Sequence, residues 1–241
     1  MDKQELQQRL SRISTQWTMV LQAHGDKVEA TQSALQALLE RYSGAAFRYL
    51  MGAVRNAEVA EELAQEFAFR FVRGDFRRAD RQRGRFRDYL KTSLIHLVHD
   101  WQRHKQGQPL QLGIEPAAPA AADPNSTDDF LAGWRTELLE RTWQSLADDN
   151  SGYHAALQYR VENPEATSNA MAEHLTSCLG KPVNAALARK MVERAHIKFA
   201  DLLLEEVAIS LEASGPEELE KELNELDLLK YCRSALERRR S

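Results

Sequence analysis

The stretch AEVAEELAQEFAFRFVR, residues 57–73, decides the fold class. Stepped at about 100° per residue, Val59, Ala60, Leu63, Ala64, Phe67, Ala68 and Phe71 fall on one half of the wheel. Glu58, Glu61, Glu62, Gln65 and Glu66 fall on the other. An apolar stripe returning every three or four residues is the pattern of a helix packed on one side, and nothing here alternates as a strand would.

The same period extends outward in both directions. Residues 31–54 place Leu35, Leu38, Leu39, Tyr42, Ala46, Tyr49 and Leu50 on one side, and a short helix over residues 17–23, capped by Ser14 or Thr15, precedes them. Residues 85–105 gather Phe86, Tyr89, Leu90, Leu94, Leu97, Val98 and Trp101, which reads as a core face. Thr92, His96, His99 and Arg103 form the opposite stripe. Residues 107–129 then break the pattern with Pro109, Pro116, Pro119 and Pro124 among alanines, the composition of an extended linker. Helical signal resumes over residues 130–146 with Phe130, Leu131, Trp134, Leu138 and Trp143. The expectation is an all-α chain: a first domain over residues 1–106, a linker over 107–129, a second domain over 130–211 and a tail over 212–241.

Within the second domain, Ser168 is placed to cap a helix over residues 169–179, and Gly180-Lys181-Pro182 supplies a stop and a restart. The following helix, to residue 211, buries Met191, Val192, Ala195, Phe199, Leu202 and Leu203 and leaves Arg189, Lys190, Glu193 and Arg194 outside. Two helices joined at a glycine turn, with basic residues early in the second, fit a helix-turn-helix and equally an ordinary helical hairpin. The tail reads as one amphipathic helix bearing Leu219, Leu223, Leu226 and Leu229.

Composition narrows the function classes. The chain has 241 residues, 28% charged and 43% hydrophobic, which is globular. Two cysteines, Cys178 and Cys232, cannot build a disulfide framework or a zinc site by themselves. No apolar run approaches the ~20 residues that span a bilayer, and residues 1–12 lack a signal-peptide core, so a cytoplasmic protein without membrane insertion is expected. The net charge of −4 conceals an asymmetry. Residues 1–107 carry 18 Lys+Arg against 13 Asp+Glu, and residues 70–91 alone hold nine basic and three acidic side chains. Eight of those nine are arginines, whose planar fork suits phosphates and guanine edges, although a solvated surface carries the same signature.

Taken in order, these blocks resemble the bacterial extracytoplasmic-function (group IV) RNA polymerase sigma factors. VAEELAQEF (59–67) is similar to that family's acidic motif, GRFRDYL (84–90) with WQRHK (101–105) to its promoter-contacting helix, and LARKMVERAHIKF (187–199) to its second conserved region. The resemblance covers most of the chain, and the long first domain and the LGKP turn look like a large planctomycete-type subgroup. The chain departs from the family at Val59, where an Asp is usual, and at Glu193 and His196, where a basic residue is frequent.

The resemblance implies a protein that binds core RNA polymerase and directs promoter recognition and −10 melting, with no enzymatic reaction, no catalytic residue, no metal and no cofactor. Glu58, Glu61, Glu62, Gln65 and Glu66 would dock on a basic coiled coil of the polymerase. Arg77, Arg78, Arg81, Arg83, Arg85, Arg87 and Lys91 would hold −10 promoter DNA, with Thr92, His96, His99 and Arg103 beside them. The loop near residues 74–84 would capture a flipped base. Asn184, Arg189, Lys190 and Arg194 would meet the −35 element from the major groove. An anti-sigma-type inhibitory protein is a candidate further partner. Two other classes compete. A helical adaptor would bind protein only, leaving the arginine band incidental. A metal-dependent phosphohydrolase would use the cluster His96, His99 and Asp100, with Asp88 or Asp201 completing a site that has no recognisable spacing.

Overall fold

The structure, a computed structural model, describes residues 4, 5, 8, 9, 39, 41–73, 86–105, 124–211 and 215–240. Among them no strand occurs, and the all-α expectation holds. The described helices are α1 (Ser43–Val54), α2 (Ala57–Arg73), α3 (Phe86–Lys105), α4 (Pro124–Asp149), α5 (Ser151–Glu162), α6 (Ser168–Leu179), α7 (Ala185–Ile209), α8 (Pro216–Glu225) and α9 (Leu229–Arg240). None is long and apolar enough to cross a membrane.

The chain divides into two compact units, Met1–Glu137 and Leu138–Ser241. The division falls inside α4, later than the boundary after residue 129 expected from the prolines. Pro124 does not continue the linker; it opens α4, where a residue lacking an N–H costs no hydrogen bond. The remainder of the expected linker lies outside the described residues.

In the first unit, aromatic rings make the core. Tyr42 is fully buried and stacks on Trp134 with centroids 4.3 Å apart, while Phe86 lies 6.0 Å from Tyr42 and 6.3 Å from Trp134. Phe130 meets Tyr49 edge-on at 5.7 Å. Tyr42 is itself a turn residue between helical Arg41 and the start of α1, so the helix expected over residues 31–54 is interrupted there. Arg55, left-handed at φ 52, ends α1, and Asn56 starts α2 by accepting the Val59 N–H at 3.0 Å. The buried side of α2 is Ala60, Leu63, Ala64, Phe67, Ala68 and Phe71, as its periodicity predicts, with Val59 half-buried. On α1, Arg48 pairs with the largely buried Glu137 of α4. Gly44 lies beside that pair, and a Cβ there would meet Glu137 Oε2 unless the carboxylate moved.

The second unit buries smaller side chains. One cluster comprises Ala156, Met171, Ala172, Leu175, Val183 and Ala188; another comprises Leu146, Leu157 and Ala195, flanked by Trp143 and Phe199. Three of its helices, α5, α6 and α7, start at side-chain caps. Asn150 accepts from Tyr153 N, Thr167 from Ala170 N and Asn184 from Leu187 N, at 2.9, 3.2 and 2.8 Å. The cap of α6 is thus Thr167 rather than Ser168. Arg141 pairs with the buried Glu206 at 2.9 Å.

The tail is two helices rather than one. The Leu228 N–H reaches Leu223 O at 2.8 Å and the Asp227 N–H reaches Asn224 O at 3.1 Å, with Asp227 at φ 55 between them. That is a Schellman stop, and the residues that its longer bond joins, Leu223 and Leu228, are both buried. It turns α9 back so that Cys232, Ala235 and Leu236 are buried and Arg238 pairs with Asp201 of α7 at 2.6 Å.

Candidate functional site

Three sets of residues were expected to act, and the structure treats them differently. Arg77, Arg78, Arg81, Arg83 and Arg85 lie outside the described residues. Arg87 is only 3% exposed, with Nε 3.8 Å from the Asp88 carboxylate, so it belongs to the interior of its unit and not to a surface band. Its position explains this: Arg87 follows buried Phe86 at the first turn of α3 and shares the side facing the other helices with Leu90 and Leu94.

Lys91, Thr92, His96 and His99 are half-buried and Arg103 is exposed. Thr92 spends its hydroxyl on Asp88 O at 2.9 Å. Asp100, one of the metal-ligand candidates, instead accepts from Arg70 of α2 at 3.2 Å and from Arg103. Arg70 also holds Glu66 at 2.6 Å, so an ionic chain of Glu66, Arg70, Asp100 and Arg103 fastens α2 to α3. Burial pushes the His96 imidazole below its ordinary value; Asp100 opposes this, and His99 and Arg103 add to it. Among the described residues no group of three or more His, Cys, Asp or Glu is arranged to hold a metal ion.

On the polar side of α2, Glu58, Glu62, Gln65 and Glu66 are exposed, Glu66 carrying Arg70. Glu61 is not: its side chain is 13% exposed and is ion-paired with Arg9, a partner that periodicity could not reveal because 52 residues separate them.

The α6–α7 junction is the best-defined candidate surface. Gly180, left-handed at φ 63, closes α6 by donating its N–H to Thr176 O at 3.1 Å. The Thr176 hydroxyl then spans the turn, accepting the Val183 N–H at 2.9 Å and facing Val183 O at 3.3 Å. Val183 and Ala188 are buried, which seats the start of α7 against α6 and leaves Arg189, Lys190 and Arg194 exposed. Leu187 and Ile197 are also exposed, and at helical spacing they share a face with Lys190 and Arg194. Asn184 differs from the other three: its Oδ1 is committed to the cap of α7, so it positions the helix. The exposed basic turn is therefore Arg189, Lys190 and Arg194 with an apolar neighbour, Leu187, that hydrophobic patterning had given no reason to single out.

A further pair was missed. Cys178 is exposed, and its Sγ lies 3.4 Å from Nε2 of His174, whose ring stacks on Tyr159 at 4.4 Å. The i,i+4 spacing of His174 and Cys178 on one helix was the available signal. Compared with protein-family models, with curated proteins and with solved structures, the chain matches none.

Proposed function

We infer that this chain acts as a sigma factor, joining core RNA polymerase to promoter DNA. The observation that carries the reading is the α6–α7 junction: a turn fixed by Gly180 and Thr176, followed by a capped helix whose first exposed turns are Arg189, Lys190 and Arg194. Arginine and lysine at the start of a helix seated on a short partner helix are the parts needed to enter a major groove and hold phosphates. The exposed acidic side of α2 supplies a second surface, complementary to a basic protein partner. In this reading the protein makes no bond. It recognises and orients, and the polymerase does the chemistry.

Run-off transcription by core polymerase from a promoter library tests the reading, with discrete start sites dependent on the added chain as the expected result. Because Glu61 is engaged by Arg9, the sharper probe of docking is the exposed pair, Glu58→Lys with Glu62→Lys. Circular dichroism is expected to stay unchanged, since exposed substitutions shift stability by less than about 0.5 kcal/mol. Capture of polymerase is expected to fail, because like charges then face each other. Undiminished transcription by the double variant would remove α2 from the mechanism.

A further inference from the structure

The acidic side of α2 is not uniformly open. Glu58, Glu62, Gln65 and Glu66 face solvent, while Glu61, in their midst, is covered by the guanidinium of Arg9. Arg9 is itself only 20% exposed and is held from its own helix turn by Glu5, whose Oε1 lies 3.1 Å from Nη2 and 3.3 Å from Nε. A guanidinium fixed by one carboxylate and presented to another needs little further ordering to stay bound, because its rotamer is already chosen. The protein thus supplies, from its own N-terminal region, the charge that the acidic face would meet on a basic partner.

We propose that Arg9 is a built-in competitor for the acidic face of α2, occupying Glu61 until a basic surface of the polymerase displaces it. The proposal rests on the docking role inferred above for that face. Its consequence is thermodynamic: only the fraction of molecules with Arg9 released can engage the whole face, and the apparent affinity is lowered by that fraction.

Two measurements on the full chain separate this proposal from the docking reading. In a Cys178→Ser background, in which Cys232 stays buried, Gln8→Cys and Glu62→Cys, neighbours that leave the Arg9–Glu61 pair intact, are treated with a bis-maleimide. An intramolecular cross-link between positions 8 and 62 is expected. Separately, wild type, Arg9→Ala and Arg9→Lys are titrated against core polymerase. Arg9→Ala is expected to bind about threefold tighter, the scale of an ion pair of this exposure, while Arg9→Lys stays near wild type. The gain is expected to shrink as salt rises. Absence of the cross-link overturns the proposal and leaves the docking reading intact. So does an Arg9→Ala variant that binds no tighter than a wild type that itself binds. A cross-link that forms in a chain no variant of which binds polymerase overturns the docking reading, and the proposal falls with it.

Discussion

The first unit and the second bury the apolar sides of short helices with different materials. In the first, five of the largest fully buried side chains are rings, Trp134, Tyr42, Phe47, Phe67 and Phe130, brought from three helices and a turn. In the second, the clusters are alanines, leucines, a methionine and a valine, and α5, α6 and α7 begin at Asn150, Thr167 and Asn184, each making a cap hydrogen bond. The helix α1 of the first unit has no such cap: it starts at buried Tyr42. The contrast teaches where specificity resides. Rings far apart in sequence fix the first unit by shape, although Asn56 caps α2 there, whereas bonds within three residues fix three helix starts of the second.

The largest expected effect tests the ring cluster. Trp134→Ala removes the ring against which Tyr42, Phe86 and Phe130 pack, and is expected to cost about 3–5 kcal/mol. Hydrogen exchange should show the loss in peptides of α1 and α3. A loss below about 1 kcal/mol would mean that the rings are loosely packed and the contrast false.

A smaller effect tests the caps. Asn184→Ala leaves the Leu187 N–H without its side-chain acceptor and is expected to cost about 1 kcal/mol, while Asn184→Asp retains most of the bond. Urea denaturation followed by circular dichroism measures both. Equal loss in the Ala and Asp variants would show that the cap is not what holds the start of α7.

The smallest effect sharpens the comparison through pH. His96 lies beside the ionic chain that joins α2 to α3, and its pKa is lowered from 6.5 chiefly by burial. A folded pKa below the unfolded one means that the unfolded chain takes the proton first. The contribution of the neutral ring is therefore complete above pH 6.5 and declines as pH falls from there towards the lowered folded value. The urea midpoint of wild type should drop on acidification from about pH 7.5 to 5.5 more than that of His96→Gln. Identical drops would assign the acid sensitivity to other groups.

Much of this was legible in the sequence, for identifiable reasons. The buried side of α2 and the exposed basic turn of α7 follow from periodicity, because each helix meets its neighbours on one side only. Gly180 announced the end of α6 because glycine is the usual left-handed residue. The break in the tail was hidden for the converse reason: Asp227 takes the same conformation without advertising it, and the leucine spacing runs through uninterrupted. Pro124 misled in another way, since one residue type serves both a linker and a first helical turn. Of the candidate sites, the exposure of Arg189, Lys190 and Arg194 could be read locally. The burial of Arg87 follows the spacing of Leu90 and Leu94, a signal its charge concealed, whereas the cover over Glu61 could not be read at all, because it depends on a residue remote in the chain.

The unequal settings of the two cysteines give the protein a chemical address at its α6–α7 junction. Burial, aided by Asp201, pushes the Cys232 thiol up to about 12, so at neutral pH it presents almost no thiolate to a reagent. Cys178 is exposed, two residues before Gly180, with an imidazole beside its sulfur. A maleimide dye added to the unaltered chain should therefore settle at one position, on the rim of the α6–α7 turn. A single-site reporter of the surroundings of that turn is thus already encoded, without any substitution.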